Sequence, residues 1–336
     1  MKTLDFLGIA PILVMSIGVV LLLLVGLFHN PKKPVARVLW GCGISLTAWF
    51  CALPQMEINQ RLWNGMVYAD FYTFVLNSII LGGVFLTFLL KEDQQTGQRI
   101  TSSVDVDVLL LLAALGGMVM VASSNLILLF LGFELLSVSV YSLTGLARKE
   151  RASAEGALKY FILGSFSSAF MLYGMVLIYA ATGTMEISLL KGLVSATNPM
   201  LLVGMGLMIF GLGFKVSLVP FHFWTPDAYQ GAPTVVTAFM AVVVKAAAFG
   251  AFFRLMVSGF GSIQEVWVGT IWMLAVITMT VGNLLALRQT SIKRMLAYSS
   301  IAHAGYALMA FLATAGSAGA ALGGGGALLF YLMGYS

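Results

Sequence analysis

Ten apolar runs, each about 18 to 25 residues long, constrain this chain more than any other feature. They fall at about 6–28, 35–53, 70–90, 105–122, 125–146, 157–181, 201–229, 233–256, 266–287 and 293–314. At 1.5 Å per residue, each is long enough to cross roughly 30 Å of hydrocarbon. Backbone N–H and C=O groups find no water there, so such runs fold as helices. The composition agrees, with 60% hydrophobic and 9% charged residues, where a soluble domain carries roughly 25% charged. The expected fold class is an all-α polytopic membrane protein. An eleventh apolar run begins near Gly323 and reaches Ser336 after about 14 residues, too short to span. We therefore expect a truncated chain, or part of a longer protein.

The first run follows Met1-Lys2-Thr3 and is too long for a signal-peptide core, so it is read as a retained helix. Basic residues then set the orientation. Lys32, Lys33, Arg37, Lys91, Arg99, Arg148, Lys149, Arg151, Arg288, Lys293 and Arg294 follow odd-numbered runs, against Lys2, Arg61, Lys191 and Arg254 on the other side. The excess of positive charge places the odd loops in the cytoplasm and the N-terminus outside it.

Several charged residues remain inside the apolar runs. A lysine at the centre of a membrane helix costs roughly 2.5 to 3.5 kcal/mol, yet Lys215 and Lys245 sit near the middle of adjacent runs. Glu134 is the one acid deep in an apolar run, NLILLFLGFELLSVSVYSL, and His303 lies within RMLAYSSIAHAGY. Counted from the nearest cytoplasmic turn, Glu134, Lys215, Lys245 and His303 lie at depths of roughly 21, 24, 21 and 17 Å. One level near the midplane is expected for all four. Lys159 is only about eight residues from Arg151, so snorkelling toward water competes with a functional role. For His303, a hydrogen-bonded packing residue is the competing reading.

Two charges about 4 Å apart attract by roughly 4 kcal/mol at an effective dielectric of about 20. A Glu134–Lys215 contact could thus form and break at modest net energy, which is what a proton switch needs. Pro220 adds a local cause of irregularity: it has no N–H, so the carbonyl of Val216 loses its helical partner one residue from Lys215. We expect the seventh helix to be broken beside a hydrated cavity, with a simple kink as the alternative. Thr225-Pro226-Asp227 reads as a helix restart with Thr225 as N-cap. Trp224 and Tyr229 read as interface anchors, and His222 as a proton-uptake residue or a loop hydrogen-bonding residue. Gly82, Gly83, Gly116, Gly117, Gly204, Gly206, Gly211 and Gly213 read as points of close helix packing.

Other chemistries find no support. Cys42 and Cys51 share one apolar run with no CxxC and no Cys/His cluster, so neither a disulfide framework nor a metal site is expected. Haem and iron–sulfur ligation would need more soft ligands than these cysteines and three histidines offer. No strand and no phosphate-binding glycine motif is expected, and nothing suggests nucleic-acid binding.

Four stretches carry a family resemblance: LGFELLSVSVYSL, ALKYFILGSFSSAFMLYG, GFKVSLVPFHFWTPDAYQGAPTVVTAFMAVVVKAAAFGAFFR and RMLAYSSIAHAGY. They resemble the proton-conducting, antiporter-like subunits of respiratory complex I and of Mrp-type cation/proton antiporters. The resemblance implies inverted repeats of five helices, each with one broken helix. Residues 1–104 would form three N-terminal helices, 105–258 the first repeat with its broken seventh helix, and 259–336 the start of an incomplete second repeat. It implies a proton relay of Glu134, Lys215, Lys245 and His303, with Lys159 matching a sixth-helix lysine. It further implies bacterial inner-membrane localisation, neighbouring membrane-arm subunits as partners, and NADH, flavin, iron–sulfur clusters and quinone held by partner subunits rather than by this chain. An Mrp-type sodium/proton antiporter subunit is the alternative, and about three further helices are missing from the family pattern.

Overall fold

The computed structural model describes residues 3–28, 34–92, 103–147, 149–314 and 320–336. Lys2, His29, Lys32, Lys33, Arg99 and Arg148 lie outside the described residues. Among the described residues, nine helices are long and apolar enough to cross a membrane.

The N-terminal part consists of α1 (Thr3–Phe28), α2 (Pro34–Ala52), a single turn α3 (Gln55–Ile58) and α4 (Phe71–Glu92). Between α3 and α4 stands an antiparallel hairpin, β1 (Gln60–Leu62) with β2 (Val67–Ala69), where no strand was expected. Its register pairs Arg61 with Tyr68, and Gly65 takes a φ of 84° in the turn. Val67 bridges to Ser123 and the Ser124 N–H donates to the Met66 carbonyl, so this small sheet ties the loops of one end together.

The helices α5 (Val104–Ala122) and α6 (Leu126–Thr144) are joined by Ser123-Ser124-Asn125, the tight hairpin the sequence predicts. Asn125 caps α6 by accepting from the Ile127 N–H at 2.9 Å. A Cβ on Gly116 would lie 2.5 Å from the Leu136 nitrogen, so α5 and α6 touch backbone to backbone. The glycine reading divides: Gly204 packs against α7 and Gly83 against valines, whereas Gly82 and Gly206 meet nothing within 4 Å.

Next comes α7 (Arg151–Thr182), whose 32 residues begin about two turns earlier than the apolar run suggested. At 1.5 Å per residue it is roughly 48 Å long, so it outreaches the hydrocarbon layer. The short α8 (Ile187–Leu193) precedes α9 (Pro199–Lys215), which opens on Asn198 as a side-chain cap and Pro199 in the first turn. Then come α10 (Thr225–Gly231) and α11 (Thr234–Phe239). A π-helical turn (Met240–Val244) leads from α11 into α12 (Lys245–Arg254), and a second π turn (Leu255–Gly259) follows it. The chain continues through α13 (Gln264–Leu287) and α14 (Ile292–Leu312) to α15 (Ala320–Tyr335). The most enclosed long elements are the Thr234–Gly259 span and α5, in which 78% and 72% of the residues in the most apolar 18-residue stretch are buried. They occupy the centre, while α1, α7 and α13 lie outside.

Of the charged residues assigned to loops, Arg254 and Arg37 are buried instead and Lys91 is partly buried. Arg254 is 6% exposed in an ion pair with Asp70, and Arg37 is 8% exposed. Lys91 forms an ion pair with Asp107, which is itself 1% exposed in the first turn of α5.

Candidate functional site

The helix α9 stops at Lys215, and the chain does not resume a helix until Thr225. This is a true interruption, not a kink. It begins four residues before Pro220, with Val216 as the C-cap and Ser217 at φ 66°, a left-handed conformation that is uncommon for a non-glycine residue. Several backbone groups released at the break find partners, as membrane depth demands. The Leu218 N–H donates to the Gly213 carbonyl at 2.9 Å, the Val219 N–H to Thr278 Oγ1 at 3.1 Å, and Trp224 Nε1 to the Phe214 carbonyl at 3.1 Å. Thr225 does not cap α10. Its hydroxyl donates to Ser217 Oγ at 2.7 Å, clasping the two sides of the break.

Lys215 is 1% exposed. Its Nζ donates to Ser137 Oγ at 2.8 Å and to Tyr160 Oη at 3.2 Å, and lies 5.3 Å from each of the ring centroids of Phe133, Tyr141 and Tyr160. Phe133, Ser137 and Tyr141 repeat every four residues along α6, which brings them to one face. Such a cage suits an ammonium, since desolvated cation–π contacts contribute about 2 kcal/mol or more. Tyr160 is fixed from behind by Trp224, whose ring stacks on it at 3.9 Å and 3°. Trp224 is therefore a buried part of this site, and Tyr229, edge-on to it at 6.1 Å, is buried too, so neither is an interface anchor, at 1% and 2% exposure.

The expected contact between Glu134 and Lys215 does not form: the two are not within the 4.0 Å of an ion pair. Glu134 instead accepts a hydrogen bond from Ser168 on α7, while the ammonium is taken by Ser137 and Tyr160. The reason lies in α6. Glu134 is one residue beyond Phe133, about 100° around the helix, and so points away from the stripe that faces Lys215. Glu134 is partly exposed, beside the outward-facing Leu131 and Val138.

A second cluster surrounds Lys245, the first residue after the π turn Met240–Val244 and 3% exposed. Its Nζ donates to the Ser300 carbonyl and to Ser300 Oγ, the latter at 2.6 Å. Tyr335 Oη donates to Ser300 Oγ at 2.8 Å, and His303 Nδ1 and Tyr331 Oη share a hydrogen bond of 2.6 Å. Lys245, Ser300, His303, Tyr331 and Tyr335 line one cavity of about 10 Å³, room for roughly one water. Lys245 and His303, distant in sequence, thus face a common space.

Lys159 lies elsewhere. It is 44% exposed and pairs with Glu155 and Asp227 at 2.7 Å each, while Arg294 holds the other Asp227 oxygen at 2.6 Å. Lys159, Asp227 and Arg294, with His222, Phe223 and Tyr298, line a groove of about 540 Å³ beside the break. The lysine does not reach the cage, although its neighbour Tyr160 is part of it.

Sequence reading missed uncharged partners of these groups, Ser137 and Tyr160 around Lys215, Ser168 on Glu134, and Ser300, Tyr331 and Tyr335 around Lys245, and it gave Trp224 a different role. A hydroxyl four residues along a helix from another caged residue is a usable signal for Ser137, but none marks the tyrosines. Among the described residues, no group of three His, Cys, Asp or Glu side chains is placed to hold a metal ion, and Cys42 and Cys51 are free.

A sequence-family model described as "NADH:quinone oxidoreductase/Mrp antiporter, TM" matches residues 123–335. The NADH-quinone oxidoreductase subunit N of Trichlorobacter lovleyi is 41% identical over 340 aligned residues, covering 100% of this chain and 68% of the relative. Across such curated relatives the chain spans from 56% to 70% of their length. A chain of respiratory complex I from Thermus thermophilus superposes with a TM-score of 0.78 at 33% identity, over 97% of this chain and 68% of that one. A chain of the Mrp complex from Dietzia sp. DQ12-45-1b superposes with a TM-score of 0.80 at 19% identity, over 99% of this chain and 62% of that one, which is a likeness of fold alone.

Proposed function

This chain belongs to the NADH:quinone oxidoreductase/Mrp antiporter family of membrane proteins, and from that premise we propose that it is a proton-translocating membrane-arm subunit of an NADH:quinone oxidoreductase. The observation that carries the reading is Lys215: a buried cation at the mouth of a broken helix, caged by three aromatic rings and two hydroxyls. With no carboxylate in contact, the direct partners of this buried lysine are neutral, so small displacements of the cage change how firmly its proton is held. Relatives about 40% identical over most of the chain carry the name NADH-quinone oxidoreductase subunit N, which favours this reading over an antiporter.

In this scheme protons arrive from the cytoplasm beside the break, dwell on Lys215, pass to Lys245 and continue past His303. Glu134, near the outward face of α6, adjusts the charge balance of Lys215 and senses the neighbouring subunit. Lys159 steers protons from the groove that it lines. Residues 105–258 form the first five-helix repeat, 259–336 open the second, and 1–104 form the N-terminal helices. The protein resides in the bacterial inner membrane with its N-terminus outside the cytoplasm. NADH, flavin, iron–sulfur clusters and quinone are bound by partner subunits, and this chain moves protons without redox chemistry of its own.

The test is an assembled enzyme carrying Lys215→Ala. Quinone-linked proton translocation is expected to fall at least tenfold while the amount of assembled complex is maintained. Full translocation at full assembly refutes the relay.

A further inference from the structure

Arg254 is a buried cation that the relay leaves unused. Arg254 ends α12, nine positions after Lys245, and the ten residues between the two π turns form one α-helical segment. A π turn inserts one residue into the helical path, which rotates everything beyond it by about 100° relative to an unbroken α-helix. The first turn offsets α12 from the phase of α11, and the second ends the helical path at Phe260, so backbone continuity alone does not hold α12 at its azimuth. Side chains must set it.

Arg254 is built for this. Its guanidinium donates to both oxygens of Asp70, at 2.8 and 3.0 Å, and to Thr73 Oγ1 at 2.9 Å. It lies over the rings of Tyr68 at 4.2 Å and Tyr72 at 4.8 Å. Asp70 is fixed in turn by the Thr73 N–H and hydroxyl, at 2.8 and 2.6 Å. Tyr72 Oη donates to the Gly250 carbonyl at 3.0 Å, and a Cβ on Gly250 would lie 2.5 Å from Leu76. The start of α4 therefore grips the second half of α12, while the first half is held by Lys245 on Ser300. Planar two-point recognition with stacking fixes orientation in a way that a lysine ammonium cannot.

We propose that Arg254, clamped by Asp70 and Thr73 between Tyr68 and Tyr72, is a positioning residue that sets the rotational register of α12 and so holds Lys245 on Ser300. Its functional consequence rests on the reading of Lys245 as a proton carrier. The clamp itself is tested separately from that reading.

The register has a direct readout, because a Cβ on Gly117 would lie 3.0 Å from Ala247 Cβ. In the assembled complex, with Cys42→Ser and Cys51→Ser as background, Gly117→Cys and Ala247→Cys should cross-link efficiently on mild oxidation. Adding Arg254→Lys is expected to lower the cross-linked fraction per assembled complex several-fold. The same Arg254→Lys change without the cysteine pair is expected to lower proton translocation several-fold. A purely structural role would reduce the amount of complex but leave both per-complex values intact, and that result overturns the proposal. Reduced cross-linking with full translocation supports the clamp and instead removes Lys245 from the relay. Should Arg254→Lys fail to assemble, Thr73→Val removes one of the three bonds and is judged by the same two measurements.

Discussion

Gly164 provides a sharp test of the Lys215 cage. It lies inside α7, where replacing glycine by alanine stabilises a helix by about 0.8–1 kcal/mol through propensity alone. At this position a Cβ would stand 2.0 Å from Tyr141 Oη and 2.6 Å from Tyr141 Cζ. Ordinary contact begins at 3.4 Å, so the hydroxyl must retreat by about 1.4 Å, the difference between the two distances. The Tyr141 ring packs edge-on against Tyr160 with centroids 4.6 Å apart and forms one wall around Lys215 Nζ. It cannot retreat without opening the cage. Overpacking of this kind costs typically 1–3 kcal/mol, which offsets or exceeds the propensity gain, so Gly164→Ala should destabilise the protein by about 0–2 kcal/mol net. Misplacing a positioned group by about 1 Å can cost on the order of a hundredfold in rate, so proton translocation should fall by about ten- to a hundredfold. Removing the hydroxyl takes away the closest contact while Cζ still presses at 2.6 Å, so Gly164→Ala with Tyr141→Phe should recover part of the loss, with a coupling of about 1 kcal/mol. The assays are thermal unfolding of the detergent-solubilised complex and pumping in reconstituted vesicles. A Gly164→Ala protein as stable and as active as the unsubstituted one refutes the tight approach of Tyr141 to α7 and the cage built upon it.

Other expectations follow from the same structure. Burial alone would raise the Asp70 carboxyl, but the Arg254 charge, its hydrogen bonds and those from Thr73 outweigh it and hold the pKa below the ordinary value of 3.8. A depressed folded-state pKa adds stability that is complete above the unfolded value and lost as pH falls through the folded one. Acid unfolding from pH 5 downward should therefore lose an Asp70-dependent component only below about pH 3.9, and Asp70→Asn should lack that component; an identical acid profile in the variant counts against the pair. Trp224→Phe keeps an aromatic ring against Tyr160 but removes the donor to the Phe214 carbonyl, a loss of about 1 kcal/mol, whereas Trp224→Ala should cost about 3–5 kcal/mol; equal unfolding midpoints for the two would argue against the stacked geometry. Breaking the buried Lys91–Asp107 pair by Asp107→Leu should destabilise by about 3–5 kcal/mol, with Lys91→Met in addition recovering most of it. A double variant no more stable than the single one would show that the two charges are not coupled.

The sequence by itself determined the architecture. Hydrocarbon leaves a backbone no partner but itself, so apolar length alone located the spans, and the hairpin at Ser123-Ser124-Asn125 is where the polar residues interrupt them. The same argument singled out Lys215, Lys245, Glu134 and His303, because a costly charge stands out against apolar neighbours in one dimension. It could not say what each charge touches. Ser137, Tyr160 and Ser300 look ordinary in sequence and become partners only when α6, α7 and α14 are brought alongside α9 and α12. Glu134 was expected on Lys215, yet one residue of helical phase turns it toward Ser168. Arg254 read as a loop charge, because local hydropathy cannot reveal that Asp70 waits 184 positions away. Tertiary structure alone decided these points, since azimuth around a helix depends on which neighbours close in and on where π turns reset the phase.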